Sequence, residues 1–238
     1  MTEFIHWPAA LLTPGEILPN PVPFTRSGGR TINGVEKGKK TDRGFWHIAY
    51  EDVVLHDQAQ RRAWNAIRTG LNGRSGLLVV PVWSFDTAPY ASGAVEADVH
   101  APHSDGTSFS DGTLYQQGTI SVRCADETPI GATKIRLLSL AAEADLAGVR
   151  FSYGHALYET GPALSVSGSI WEVSIFPAVR AKIPAGADLE FNLPTCLVHL
   201  EDDRGMDVSL NAVQITERSV SFVEATDYWS DLAAGLIA

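Results

Sequence analysis

The chain is short of sulfur, of basic residues and of long apolar runs, and each shortage narrows what it can be. Cys124 and Cys196 are its two cysteines among 238 residues, too few for a disulfide-stapled scaffold or a four-thiolate metal centre. Each falls in phase with apolar alternation, Ile120, Val122, Cys124 and Cys196, Val198, Leu200, so both are expected as reduced core thiols. Nowhere do about 18 apolar residues run together, which leaves no stretch for a helical membrane span. Glu3 stands where a secretory leader needs positive charge, and the first apolar stretch breaks at Pro14; no such leader is expected.

Eighteen Lys and Arg face 28 Asp and Glu, a formal net charge of −10. A nucleic-acid reader needs a basic face, and this balance argues against one. An acidic wall that DNA passes without sticking is compatible with it. The charge is also uneven: residues 1–90 hold 10 basic and 8 acidic side chains, the remainder 8 and 20.

Catalytic patterns are missing too. There is no Gly-x-Ser-x-Gly elbow and no cysteine beside a base. The run Gly34-Val35-Glu36-Lys37-Gly38-Lys39-Lys40-Thr41 superficially suggests a phosphate loop. That motif needs four residues between its glycines and a helix after them; here there are three, and a strand follows. Glu201-Asp202-Asp203 leads into Arg204-Gly205 and reads as a solvated turn. His100, His103 and Asp105, with Asp98 and Asp111 nearby, have ligand chemistry for a divalent metal. They sit in a Gly/Ser/Asp segment with no helix to fix them, so turn-forming polarity explains them as well. No catalytic, cofactor or metal residue is assigned on this reading.

What is present is an ordinary globular composition, 45% apolar and 19% charged, in a chain long enough to hide roughly 70% of its extended surface. Trp46, Ile48 and Tyr50 alternate as on a half-buried strand that Val53-Val54-Leu55 extends. Asp57 then offers an N-cap with Gln60 as its capping-box partner. Ala63, Trp64, Ile67 and Leu71 form a stripe at helical spacing, which predicts a helix over 57–71 stopped by Gly70 or Gly73. Leu77 to Trp83 reads as a buried strand, with Pro81 arguing for an edge or a bulge.

After Leu114 come strands in succession, at 119–124, 133–140, 149–153, 169–176, 188–192, 196–201, 206–210 and 213–223, as in a sandwich or barrel. No second convincing helix is read, although 139–147 could form a turn or two; Tyr228, Trp229, Leu232, Leu236 and Ile237 make a short apolar tail. Two long loops stand out. Residues 19–44 are rich in Pro, Gly and basic side chains, with a candidate hairpin at Asn33-Gly34, and Arg26, Arg30, Lys37, Lys39, Lys40 and Arg43 on them could dock an acidic neighbour. Residues 84–113 carry no apolar period and read as an arm.

Several stretches resemble the distal tail proteins that form a ring at the tail tip of long-tailed bacteriophages and related particles. They are Pro23-Phe24-Thr25-Arg26-Ser27-Gly28-Gly29-Arg30, Thr41-Asp42-Arg43-Gly44-Phe45-Trp46, and the helix leading into Gly76 and the strand to Trp83. In the C-terminal part they are His155-Ala156-Leu157-Tyr158, the run from Trp171 to Arg180, Ile183-Pro184-Ala185-Gly186 and the run from Val220 to Ala225. The likeness implies a mainly β fold: a tail-tube-like β-sandwich domain with one packed helix, from residues 1–113 together with 213–238, and a second β-rich sandwich or barrel in 114–212. It also implies a homohexameric ring around a DNA channel in the virion, assembled in the host cytoplasm, touching the tail tube, hub or baseplate and tape-measure proteins. No binding residue carries over, because the matching motifs are structural.

Two rival readings accompany this one. Trp46, Trp83 and Trp171 could line a sugar groove of a host-attachment module, although aromatics in phase with strands are more often core. His100 and His103 could serve a metal-dependent hydrolase.

Overall fold

A computed structural model of the chain describes residues 4–30, 32–96, 99–101, 115–117, 119–208 and 216–237. The fold is mainly β. Its strands are β1 (Ile5–His6), β2 (Glu16–Arg30), β3 (Glu36–Leu55), β4 (Leu78–Pro81), β5 (Val99–Ala101), β6 (Tyr115–Gln117) and β7 (Ser121–Cys124). They continue with β8 (Lys134–Ala141), β9 (Arg150–Tyr153), β10 (Ala156–Ser167), β11 (Ile170–Phe176), β12 (Asp188–Leu189), β13 (Thr195–Leu200) and β14 (Thr216–Glu224). Two helices, α1 (Gln58–Leu71) and α2 (Thr226–Ala233), complete the described elements.

Two six-stranded sheets carry the structure. The first runs β1-β4-β13-β14-β3-β2 and is mixed, because β1 lies parallel to β4 while the other neighbours are antiparallel. The second runs β12-β7-β8-β11-β10-β9. A bridge between Ser152 and Glu190 ties its two ends together, with N–H to carbonyl bonds of 2.8 and 3.0 Å, so that it nearly closes on itself. Closure of this kind removes exposed edges. β5 and β6 form a separate two-stranded ribbon.

α1 forms where its sequence pattern places it. Asp57 Oδ1 accepts from the Gln60 backbone N–H at 2.7 Å, and the Gln60 side chain accepts from the Asp57 and His56 N–H groups, closing the capping box. Asn72, in the left-handed region at φ 51°, ends the helix one residue before Gly73. The helix buries Trp64, Ile67 and Leu71 in the first core, together with Trp46, Ile48 and Tyr50 of β3 and Phe222 of β14. Trp7 meets Tyr50, Trp64 and Phe222 edge to face at 5.1, 6.0 and 5.9 Å. Three buried indole N–H groups find carbonyls: Trp7 on Leu12, Trp46 on Leu157 and Trp64 on Met206.

Pro81 sits inside the sheet without breaking its ladder. Trp7 N–H donates to Val79 O on the β1 side, and Val82 N–H donates to Pro194 O on the β13 side. By strand alternation Pro81 faces the β1 side, past the end of that two-residue strand, where no ladder donor is required.

Several expectations are corrected. The segment 195–200, expected in the second region, is β13 of the first sheet. Cys196, Val198 and Leu200 fill the slot between β4 and β14, and their inward side chains belong to the first core. The apolar tail is a second helix, α2, whose Trp229 packs into the second core. Residues 139–147 hold no helix; β8 runs on to Ala141. The opening part of the expected arm at 84–113 is packed down: Ser84 Oγ donates to Phe191 O and Asn192 O, and Tyr90 is buried. Cys124 and Cys196 are free and buried.

Replacing the cap, Asp57→Ala, should lower unfolding free energy by about 1 kcal/mol. Leu71→Ala on the buried stripe of the same helix should cost about 3 kcal/mol. Urea titration followed by tryptophan fluorescence distinguishes the two.

Candidate interaction surface

The distal parts of β2 and β3 leave the body as a two-stranded ribbon. On the body side of Val22 and Gly44 covered residues such as Ile17, Leu18, Trp46 and Ile48 stand among exposed ones; beyond them the described residues of the ribbon are nearly all exposed. The register pairs Phe24 with Thr41, Thr25 with Lys40, Arg26 with Lys39 and Ser27 with Gly38. Gly34, at φ 77°, sits in the turn, where the Asn33-Gly34 signal had placed a hairpin. The expected loop at 19–44 is therefore an extended ribbon, held by its own ladder and by Ser27 Oγ donating to Glu36 at 2.7 Å. Its apolar side chains face solvent: Phe24 is 57% exposed, Val35 53%, and Ile32 at the tip is fully exposed.

Charge separates along the same boundary. Residues 23–43 carry six basic and two acidic side chains, and the rest of the chain carries twelve and twenty-six. Arg26 stands directly across from Lys39, a cross-strand like-charge pair that destabilises the ribbon by itself.

A buried ion pair clamps the foot of the ribbon. Arg180 Nε donates to Glu224 Oε1 at 2.7 Å and its Nη2 to Glu224 Oε2 at 2.9 Å, a two-pronged contact. The same Nη2 donates to Gly44 O at 2.6 Å, where β3 enters the body. Glu224 also accepts the Trp46 N–H at 3.1 Å, and Arg180 N–H donates to Tyr158 Oη at 3.0 Å. The Glu224 side chain has no exposed surface. Burial pushes its carboxyl pKa up, against the pull of Arg180 and of the Trp46 N–H. Burial likewise raises the Tyr158 phenol. Gly44 is required here: a Cβ would run into the Phe176 ring and come within 2.9 Å of Val22 O.

Beside this clamp lies an open cavity of about 740 Å³. Ile130, Val179, Trp229 and Ala233 give it apolar walls, and the acids Asp42 and Asp227 line it together with Arg43 and Arg180. Trp229 is 5% exposed, and its indole N–H has no hydrogen-bond partner among the described residues. α2 forms one wall, and its charged residues, Asp227 and Asp231, are both acidic. His199 fixes the start of α2: its Nε2 meets Asp227 Oδ1 at 2.7 Å and its Nδ1 meets Gly76 O at 3.1 Å. For Asp227, partial burial pushes the pKa up, but the His199 bond and backbone N–H bonds outweigh it and hold the carboxyl below its usual value.

The other candidates separate. His100 lies on β5, and Asp98, His103, Asp105 and Asp111 lie outside the described residues. Among the described residues no group of three or more His, Cys, Asp or Glu is placed to hold a metal. Trp46 is sealed in the first core, Trp171 packs half-buried against the second, and Trp83 is half-buried with its ring 5.9 Å from that of Phe85, so Trp46 at least is closed to a sugar. Gly34 to Thr41 spans the ribbon turn and strand, with no helix behind it. Sequence reasoning missed the Arg180–Glu224 clamp, although a signal existed: Glu224 falls in the buried phase of Val220 and Phe222. In comparisons with known proteins, no family model matches the chain and no curated protein matches its sequence.

Arg180→Met strands a buried carboxylate and should cost about 3 kcal/mol, while Arg180→Met with Glu224→Leu should recover most of that loss; a double-mutant cycle in urea measures it. The Asp227 contribution has the sign of a depressed acid. The stability advantage of wild type over Asp227→Asn should be full above the ordinary carboxyl value of 3.8 and vanish as pH falls through the lower folded value. Thermal unfolding across that range reads it.

Proposed function

We propose that this protein is a structural ring subunit at the tail tip of a long-tailed bacteriophage or related particle, joining the tail tube to the hub around a DNA channel. The observation that carries the reading is the exposed basic ribbon, clamped at its foot and carrying solvent-exposed apolar side chains, Phe24, Ile32 and Val35. A ribbon of this kind leaves apolar surface exposed on one copy and suits a contact between copies. The acidic remainder of the chain suits a channel wall that repels the phosphate backbone and lets DNA slide. The mainly β architecture, with α1 packed on one sheet, agrees with the tube-type domain that the sequence resemblance implies. The partners on this reading are further copies of the chain, the tail tube, the hub or baseplate and the tape-measure protein.

Negative-stain images of the purified full chain should show rings with a central hole, and native mass measurement should give six copies of the 25.6 kDa chain. A chain that stays a single copy at high concentration and also fails to join tail tube and hub proteins overturns the proposal.

A further inference from the structure

The ring reading leaves open how one copy grips the next, and three observations converge on an answer. The ribbon tip presents two apolar side chains to solvent, Ile32 fully and Val35 by about half. The cavity at the ribbon's foot is open and has an apolar wall of Ile130, Val179, Trp229 and Ala233, and it is of a size that commonly buries a small ligand. The two cannot meet within one chain. Strand residues rise about 3.3 Å each, so the eight from Glu36 to Arg43 set the tip roughly 26 Å beyond the foot.

We propose that the ribbon tip of one copy seats in the foot cavity of the next copy, with Ile32 and Val35 entering among Ile130, Val179, Trp229 and Ala233. Arg26 and Lys39 then lie along the neighbour's acidic surface, where Asp227 and Asp231 of α2 stand. This rests on the ring reading and names its joint.

Charge selects the occupant. The ribbon holds six basic side chains against two acids, and the body holds twelve against twenty-six, so a second copy supplies the complementary surface. The same contact relieves the like-charge pair Arg26 and Lys39, which has no carboxylate between its members in the register. Tip and cavity are different patches, so the contact is head to tail. Repeated, it closes into a ring or runs on as a filament. Each copy offers its own tip while receiving another, which explains why the clamp at Arg180 sits between ribbon and cavity: it holds donor and acceptor at a constant relative angle.

The test co-expresses two full-length single variants, Asn33→Cys at the tip and Ile130→Cys at the cavity wall, and exposes the assembled protein to mild oxidation. The native thiols do not interfere, because Cys124 and Cys196 are buried. A disulfide-linked mixed dimer should form in the co-expressed sample and in neither single variant. Ile32→Asp should raise the concentration for half-assembly by at least about tenfold, the scale of losing one buried aliphatic side chain, with the unfolding midpoint unchanged.

Rings that persist by mass without the mixed dimer overturn this joint and leave the ring reading standing. A wild-type chain that forms no assembly and gives no cross-link overturns this joint, and overturns the ring reading as well when it also fails to join tail tube and hub proteins. Salt-sensitive binding of duplex DNA that is lost in Arg26→Glu/Lys39→Glu, again without the cross-link, would assign the ribbon to nucleic acid and also overturn the joint.

Discussion

The foot of the exposed ribbon is held to the body by one buried ion pair. Arg180 follows β11, and Glu224 closes β14 of the other sheet; between them they hold Gly44 O and the Trp46 N–H of β3. A carboxylate with no exposed surface carries a heavy desolvation cost, which explains why its pKa is pushed up. Such a pair is weak evidence for stability and better evidence for geometry. Here it fixes the angle at which a long ribbon leaves the body. Gly44 completes the arrangement, because only a residue without Cβ lets β3 pass against the Phe176 ring.

The two sheets divide the remaining work. The first binds α1 through an aromatic cluster of Trp7, Tyr50, Trp64 and Phe222, whose edge-to-face contacts favour one packing over many. The second nearly closes on itself through Ser152 and Glu190, and hides edges that would otherwise template association. β13 belongs to the first sheet yet contributes Leu197 to the second core, as β4 does with Val79. The sheets are thus joined through shared side chains as well as through the Arg180 clamp, and a rigid body stands behind the ribbon.

Charge and shape then agree. A chain of net charge −10 places a third of its basic side chains on the 21 residues 23–43. In an isolated copy those charges repel each other across the ribbon. On the proposed ring, an acidic neighbour would meet these charges, which would guide approach and discriminate among faces while the apolar tip supplied burial.

The sequence by itself determined the elements whose signals are local. Asp57 with Gln60 and the stripe through Leu71 specified α1 to within a residue, since capping and helical period act within a few positions. Alternation located most strands, and Asn33-Gly34 marked the hairpin turn. Local signals failed where they are short or interrupted. α2 has eight residues and no side-chain cap, so nothing announced it. β10 is broken by bulges around Thr160 and Ala163, which destroyed the period that would have revealed it. Only the tertiary structure decided that β13 returns to the first sheet, that Arg180 reaches Glu224 across 44 positions, and that the ribbon stands clear beside an open cavity. These are matters of long-range packing: which slot an apolar strand fills and which charge a buried carboxylate meets depend on residues far apart in the chain, and no window along it contains both.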